Sequence, residues 1–575
     1  MSMRTNPSPK LCRGAISILP LLAMLLLSGP AHGQNQPLVI DGGTLIDGTG
    51  GAPLQDAVIV VEGNRIRAVG KKGSVAIPAQ AKVIRGDGMT ILPGLIDSHI
   101  HELDFFPPLF PHFGVTTVYD TANPTEWSLA QREAFKSGKI KGPRMFITGV
   151  VLDGPVRPGA ADRRSDYLVN LNTPEEARAK VRELIRSGVD LIKVYQYLQL
   201  DQLKAIMDEV HKAGLEAAGH SHDARDDIAA GLKFIEHSTP IAHATLGDPA
   251  KVRAMDEGRL HLPEAEMDEK LFDPLIQELI QSGVYYNPTI TREWINVLPK
   301  RQGWYDEAGK LLRSQEYAFI PAERREYWLG MVDGTQRGPA EDLERERQGF
   351  EKVKEFTRRF AQAGGKVLAG TDAGPSSQPS NMPGLALHVE MEQLVDTGLT
   401  PMQAILSATK WAAEFAHKEN DLGTVEPGKL ADIILIEGNP LADIRATRNV
   451  RTVIMDGKVA DTKLDPSWRN PIPRPTAEYS RDYRGPEVSG IAPEAVRAGA
   501  GKVEIEITGR KFQRTSVIRF DMTNLPTKFV NANKLTATVD AGLLRNAGTF
   551  AVTVTTPGSG GGTSREVYLI VKYPN

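Results

Sequence analysis

The sequence predicts an α/β chain: a TIM (β/α)8 barrel inserted in a small β-sandwich and followed by a second all-β unit. Three observations lead there. Apolar strand-like runs alternate with helical stretches between residues 91 and 419. Two β-rich segments, 36–90 and 420–463, flank that stretch and complement one another. Beyond a proline-rich linker over 464–484, residues 485–575 change to short alternating strands separated by Gly, Pro and Asn turns. A chain of 575 residues is too long for one core, and this division gives each part its own.

The first residues read as a secretory signal peptide, 1–33. Arg4, Lys10 and Arg13 precede the apolar run from Ala15 to Leu27, and the small, turn-prone Ser28-Gly-Pro-Ala-His-Gly33 follows. The apolar run is too short to span a bilayer comfortably. Cleavage is expected near Gly33–Gln34, giving a periplasmic or secreted protein with no membrane span in the mature chain. The single cysteine, Cys12, lies before the apolar run, so the mature chain has neither disulfides nor a thiolate nucleophile. Hydrophobic content of 41% and charged content of 24% are those of an ordinary globular protein. A net charge of −3 with scattered Lys and Arg gives no electrostatic case for nucleic acid or an anionic membrane.

In the flanking unit, Glu62-Gly-Asn-Arg65 reads as a hairpin turn between β-branched runs, and Asp456-Gly457 as another. In the central unit, strands are predicted at residues 95–99, 115–120, 145–151, 191–195, 216–220, 234–237, 284–287 and 367–372. Thr173-Pro-Glu-Glu starts a helix with a capping hydroxyl, a proline in the first turn and acids at the positive end of the dipole; Gly188 ends it. Residues 290–350 interrupt the rhythm with a charged stretch carrying Trp294, Trp304, Tyr305, Tyr317, Tyr327 and Trp328. Such an insertion could cover the active-site face or pack on the barrel flank.

Active sites of this fold lie at the C-terminal ends of the strands. Leu92-Pro-Gly-Leu-Ile-Asp-Ser-His-Ile-His101 puts His99 and His101 two residues apart at such an end, where both imidazoles leave the strand on one side, at a spacing that suits a divalent ion. Lys193, His220, His237 and Asp372 close other apolar strands. Each has an ordinary reading: a core histidine, a turn aspartate, a lysine paired with a buried acid. Lys193 stands in Leu191-Ile-Lys-Val-Tyr195, where a bare ammonium is costly to bury; a carbamate formed with carbon dioxide would turn it into an anion able to bridge two metals.

With Ile192-Lys-Val-Tyr195, Ala217-Ala-Gly-His-Ser-His222, Phe234-Ile-Glu-His237, Gly370-Thr-Asp-Ala373 and Asp421-Leu-Gly-Thr-Val-Glu-Pro-Gly-Lys-Leu-Ala-Asp432, the region 36–463 resembles the amidohydrolase superfamily, in its imidazolonepropionase-like and prolidase-like branch. The resemblance implies that His99, His101 and Asp372 hold one metal, that His220 and His237 hold the other, and that Lys193 bridges them as N6-carboxylysine. Tyr195 points the same way as Lys193 and could contact substrate or only pack, and His222 is assigned behind the ligands or on the substrate side. Asp223 stands where mononuclear deaminases of the superfamily carry a longer Glu. Residues 485–575 resemble an IPT/TIG immunoglobulin-like domain through Pro486-Glu-Val-Ser-Gly-Ile-Ala-Pro493 and Ile507-Thr-Gly-Arg-Lys-Phe512, which implies interaction or spacing and no chemistry.

The function expected from these readings is hydrolysis of a C–N bond in a small amide, such as an Xaa-Pro dipeptide or an N-acyl amino acid. Two divalent ions, zinc first, would share a hydroxide, and Asp372 would shuttle the proton to the leaving nitrogen. Alternatives are opening of a cyclic amide or lactone, deamination at a mononuclear site, and an inactive barrel serving as an extracellular binding protein. A homo-oligomer and a surface partner for the C-terminal domain are left open.

Overall fold

The computed structural model describes residues 36–155, 167–333, 340–375, 377–474, 486–520, 523–545, 548–556, 562–564 and 567–572. The signal-peptide segment and the end of the proline-rich stretch lie outside the described residues.

The flanking unit is two sheets. One has four strands in the order Arg65–Lys71, Ala57–Glu62, Leu38–Asp41, Lys82–Arg85. The other has five: Lys458–Val459, Val450–Met455, Ile433–Glu437, Met89–Pro93, Thr44–Leu45. Met89–Pro93 pairs antiparallel with Ile433–Glu437, with Leu92 opposite Ile434, so the segments before and after the central unit meet in one sheet. Ile40, Ile59, Ile91, Ile433, Leu435 and Ile454 form the shared core. Asp456 and Gly457 both have positive φ, as a two-residue hairpin turn requires. A side chain at Gly457 would meet the Gly63 carbonyl at 2.1 Å, so the two hairpin tips can touch only because glycine is there.

The central strands are all parallel. Leu95–Ile100, Val115–Asp120 and Arg144–Ile147 form one sheet. Leu168–Asn170, Val151–Asp153, Ile192–Val194, Ala217–Gly219, Phe234–Glu236, Tyr285–Asn287 and Lys366–Val367 form the other, in that order. Hydrogen bonds link the two sheets: Asp190 N, just before Ile192–Val194, donates to Ile147 O at 2.9 Å, and beyond Lys366–Val367 Ser98 N donates to Ala369 O at 3.2 Å and His101 N to Ala373 O at 2.8 Å. Toward the strands' N-terminal ends, Ile96, Tyr119, Leu191, Ala218, Phe234 and Leu368 pack together with Phe415. The run predicted as one strand over 145–151 is broken at Gly149, whose φ is +68°; the strand Leu168–Asn170 was not anticipated. Of the run 367–372 only Val367 is strand, in Lys366–Val367, because Thr371 and Asp372 turn to donate both backbone N–H groups to His99 O.

The insertion folds as helices Ile290–Glu293, Arg301–Arg313 and Ala322–Asp333, and Ala340–Gln362 returns the chain to the next strand. Trp294, Trp304, Tyr305, Tyr317 and Trp328 are buried, and Tyr327 is exposed. The described part of the linker lies against the central unit: Trp127 Nε1 and Gln131 Nε2 donate to Ile472 O, and Arg474 N donates to Asp104 Oδ1 at 2.7 Å. The C-terminal unit is a pair of antiparallel-rich sheets around Ile505, Ile507, Phe520, Leu535, Val552, Val554 and Leu569. Ala322, at the start of an insertion helix, packs into that core.

Candidate metal centre

The strand Leu95–Ile100 and the loop after Lys366–Val367 are locked together by Asp97, which accepts from Thr371 N at 3.1 Å and Thr371 Oγ1 at 2.8 Å. Burial pushes the Asp97 carboxyl up to about 7 against these hydrogen bonds. The lock sets Asp372 opposite the two histidines. His101 Nε2 lies 2.9 Å and His99 Nε2 3.6 Å from Asp372 Oδ1. Asp372 has φ +51°, a backbone region that non-glycine residues enter rarely, and it is held there by the two bonds to His99 O. His99, His101 and Asp372 offer ligand atoms that all lie within 4.8 Å of one another.

His237 and His220 adjoin this set. The His99 and His237 rings are 5.2 Å apart, and those of His220 and His237 4.1 Å. His237 Nδ1 lies 2.8 Å from Thr289 Oγ1, which leaves Nε2 as its ligand atom. His220 Nε2 is 2.8 Å from Gln196 Nε2, so the structure brings the His220 ring to the centre with that nitrogen facing an amide. Lys193 is buried and its Nζ contacts Glu236 Oε2, while Glu236 Oε1 lies 3.2 Å from His99 Nδ1. Tyr195 packs edge-on against the His220 ring at 4.8 Å. His222 is not in the centre; its Nε2 lies 2.8 Å from Asp256 Oδ1.

The donor set fits divalent metal. Both ring nitrogens of His99 and Nδ1 of His101 are buried without a hydrogen-bond partner, an expensive arrangement for an imidazole that binds nothing. Burial holds His99 and His220 well below the usual histidine range and brings His237 down to about 3, so the rings are neutral and ready to donate lone pairs at pH 7. Burial pushes Asp372 the other way, but the hydrogen bond from His101 leads the interactions that hold the carboxyl well below its ordinary value. Asp372 is therefore an anion across the neutral range.

Several participants escaped the sequence reading. Glu236 precedes His237 in Phe234-Ile-Glu-His237, and its charge inside an apolar run was the same signal that singled out Lys193. Glu293, with its side chain 37% exposed, has Oε1 3.6 Å from His237 Nδ1. Arg292 Nε lies 3.7 Å from Asp372 Oδ2. Both belong to the first turn of the insertion, which the sequence marks only by its aromatics. The insertion also braces the loop behind Asp372: Trp328 Nε1 donates to Ser377 O at 2.7 Å, Tyr305 Oη to Gln378 Oε1 at 2.6 Å, and Asn381 Nδ2 to Asp372 O at 3.1 Å.

Residues 111–460 match the amidohydrolase family, and residues 486–569 match the IPT/TIG domain. An imidazolonepropionase of Geobacillus kaustophilus is 31% identical over 435 residues, covering 71% of this chain and 90% of that protein. An ochratoxinase of Aspergillus niger is 23% identical over 482 residues, covering 72% of this chain and 84% of that protein. Among solved structures, a Xaa-Pro dipeptidase with bound methionine is 26% identical with a TM-score of 0.53, covering 74% of this chain and 100% of the other. A prolidase-like structure from Bifidobacterium longum has a TM-score of 0.54 at 23% identity over 74% of this chain and 95% of its own.

Proposed function

Since the chain belongs to the amidohydrolase family, we propose that it is an exported, metal-dependent hydrolase that cleaves the C–N bond of a small amide, such as an Xaa-Pro dipeptide or an N-acyl amino acid. The observation that carries this reading is the convergence of His99, His101 and Asp372, with His99, His220 and His237 held neutral around one carboxylate held anionic. The two parallel sheets, linked by hydrogen bonds, are read as arcs of one (β/α)8 barrel carrying this centre, with Arg144–Ile147 and Val151–Asp153 counted as one strand broken at Gly149 and Leu168–Asn170 standing outside the eight. The likeness to a Xaa-Pro dipeptidase supports the choice of substrate class.

His99, His101 and Asp372 would hold one divalent ion and His220 and His237 a second, zinc by the donor set, with Lys193 between them as N6-carboxylysine. Bound there, such ions lower the pKa of a water and polarise a carbonyl. The chain's own residues do the rest. Asp372 accepts the water's proton and passes it to the leaving nitrogen, which cannot depart as an anion. The Asp97–Thr371 lock and the Asn381 bond to Asp372 O fix that carboxylate in place. Tyr195, edge-on to His220, and Arg292, beside Asp372, stand where the remainder of a substrate would be met.

Deamination is disfavoured by the position of Asp223. Its Oδ2 lies 2.7 Å from His243 Nδ1 and its Oδ1 accepts from Arg225 N, so both oxygens are engaged away from the histidine centre. Opening of a cyclic amide or lactone is the second reading, supported by the imidazolonepropionase likeness. Lys193 also has a second reading, since its contact with Glu236 suits an unmodified ammonium. The test is a side-by-side assay of zinc-loaded protein against linear amides, cyclic amides and amino-heterocycles. Cleavage of linear amides is expected, and release of ammonia from heterocycles alone would overturn the proposal. Sequencing the N-terminus of exported material is expected to begin near Gln34.

A further inference from the structure

A second group of ligand-type side chains lies apart from the histidine centre, on the segments that follow Ala217–Gly219 and Phe234–Glu236. His222 stands two residues beyond His220. His243 is on the short helix Thr239–Ala244, and Asp256 ends the helix Pro249–Asp256. His222 Nε2 is 2.8 Å and His243 Nε2 3.0 Å from the same oxygen, Asp256 Oδ1. The two rings are 4.4 Å apart. On its other side, His243 Nδ1 is 2.7 Å from Asp223 Oδ2.

His243 meets a carboxylate at each ring nitrogen. An imidazolium satisfies both by donating twice. A divalent cation at Nε2, with the remaining proton kept on Nδ1 toward Asp223, would satisfy them equally and would also engage His222. Charge favours it too, because Asp223 and Asp256 bring two negative charges with Asp226 close by. Arg225, the cation on the same segment, directs its guanidinium to Ala244 O at 2.5 Å and to Glu278 at 3.2 Å.

We propose that His222, His243 and Asp256 form a further binding site for a divalent cation of the zinc type, with Asp223 orienting His243 from behind. The three ligand atoms lie within 4.8 Å of one another. Zinc bonds of about 2.0–2.1 Å in tetrahedral array separate donor atoms by about 3.3 Å, so the present contacts need open by only about half an ångström. An aspartate on the far nitrogen of a ligating histidine fixes its tautomer and raises its basicity. Asp256 is about half exposed, which leaves a path for the ion and a coordination position for water. The ion would staple the loop that follows His220 to the helices over 239–256. The site shares no residue with the histidine centre and stands whether that centre holds one ion or two.

The test is a metal count on the full mature chain, stripped with chelator, equilibrated with zinc and freed of excess ion. Wild type is expected to retain one zinc more than His243→Asn and one more than Asp256→Asn, with circular dichroism showing each variant folded. Cobalt in place of zinc should add a visible absorption band that Asp256→Asn lacks. Should His243→Asn not fold, Asp256→Asn, at the exposed end of a helix, decides alone. Equal zinc counts in wild type and folded Asp256→Asn would overturn the proposal. Failure of the histidine centre reads differently: His101→Ala would then match wild type in its zinc count, while the loss of one ion in Asp256→Asn would persist.

Discussion

Replacing Glu236 with glutamine distinguishes two chemical states of Lys193. The lysine Nζ contacts Glu236 Oε2, both side chains are almost wholly buried, and burial raises the Glu236 carboxyl even though Lys193 opposes it. If Lys193 is an ammonium, Glu236→Gln strands a buried charge, which costs about 3–5 kcal/mol. If Lys193 is carboxylated, Glu236 faces a second anion. Glutamine then removes a repulsion and can donate to the carbamate, and its net cost is at most about 1 kcal/mol. Glutamine keeps an acceptor for the 3.2 Å contact with His99 Nδ1, so that contact changes little in either state. With about 2 cal/mol/K of unfolding entropy per residue, a unit as large as residues 36–474 shifts its midpoint by about 1 °C per kcal/mol. Calorimetry should therefore show the variant about 3–5 °C below wild type when both are stripped of metal and kept free of carbon dioxide. The gap should shrink to about 1 °C or less with zinc and bicarbonate. An equal depression under both conditions would refute a metal-dependent carbamate, and no depression in the stripped protein would refute the buried ion pair.

Three further outcomes follow from the structure. Trp328→Phe removes the 2.7 Å bond to Ser377 O and part of a buried ring, costing about 1–2 kcal/mol; amide exchange over residues 374–381 should quicken, and unchanged protection there would show that the insertion does not brace the Asp372 loop. Glu390 accepts from Ile290 N and Thr291 N and is pushed up by burial to about 7; its folded value exceeds the ordinary 4.5, so its contribution to stability falls as pH rises from about 4.5 to about 7 and is level above that. Glu390→Gln should remove on the order of 3 kcal/mol of that decline, as read from denaturant midpoints across this range, and an unaltered slope would exclude Glu390 as its source. Truncation near Arg484 keeps the contacts of Ile472 and Arg474 and should leave a folded enzyme with largely unchanged turnover on small substrates, whereas an insoluble product would show that the C-terminal core around Ala322 supports the insertion.

The alternation of side chains explains both what was legible in the sequence and what was not. Leu191, Ala218 and Phe234 share one packed cluster, so on regular strands Lys193, His220 and Glu236, each two residues on, continue the same face. Lys193 and His220 could be chosen from that periodicity. By the same rule the residue from the next strand is Glu236, and His237 should point away. It reaches the centre because its φ of +65° turns the backbone back, a local departure that the residues themselves do not announce. Asp372 behaves alike: its segment reads as strand, yet a φ of +51° and two bonds to His99 O set its carboxylate against His101. Side chains brought in from far along the chain, such as Arg292 and Glu293, carried no local pattern at all.

The insertion shows how composition can leave a role open. Its aromatic-rich segment could cover the active-site face or pack on the barrel flank, and most of its rings are buried and use their polar atoms structurally. Trp304 Nε1 donates to Glu392, Tyr305 to Gln378 and Trp328 to Ser377. Two of the three acceptors lie on the loop that follows Asp372, and Asn381 on the same loop holds the Asp372 carbonyl. The helix that carries Trp328 begins at Ala322, which is packed in the C-terminal core. A continuous set of contacts thus runs from the IPT/TIG domain through the insertion to the carboxylate that moves the proton in the proposed reaction. Contacts of that kind fix geometry and do not select a substrate. In the proposed reaction, selection would fall to the polar groups near the centre, Tyr195 beside His220 and Arg292 beside Asp372, which would suit a small polar amide.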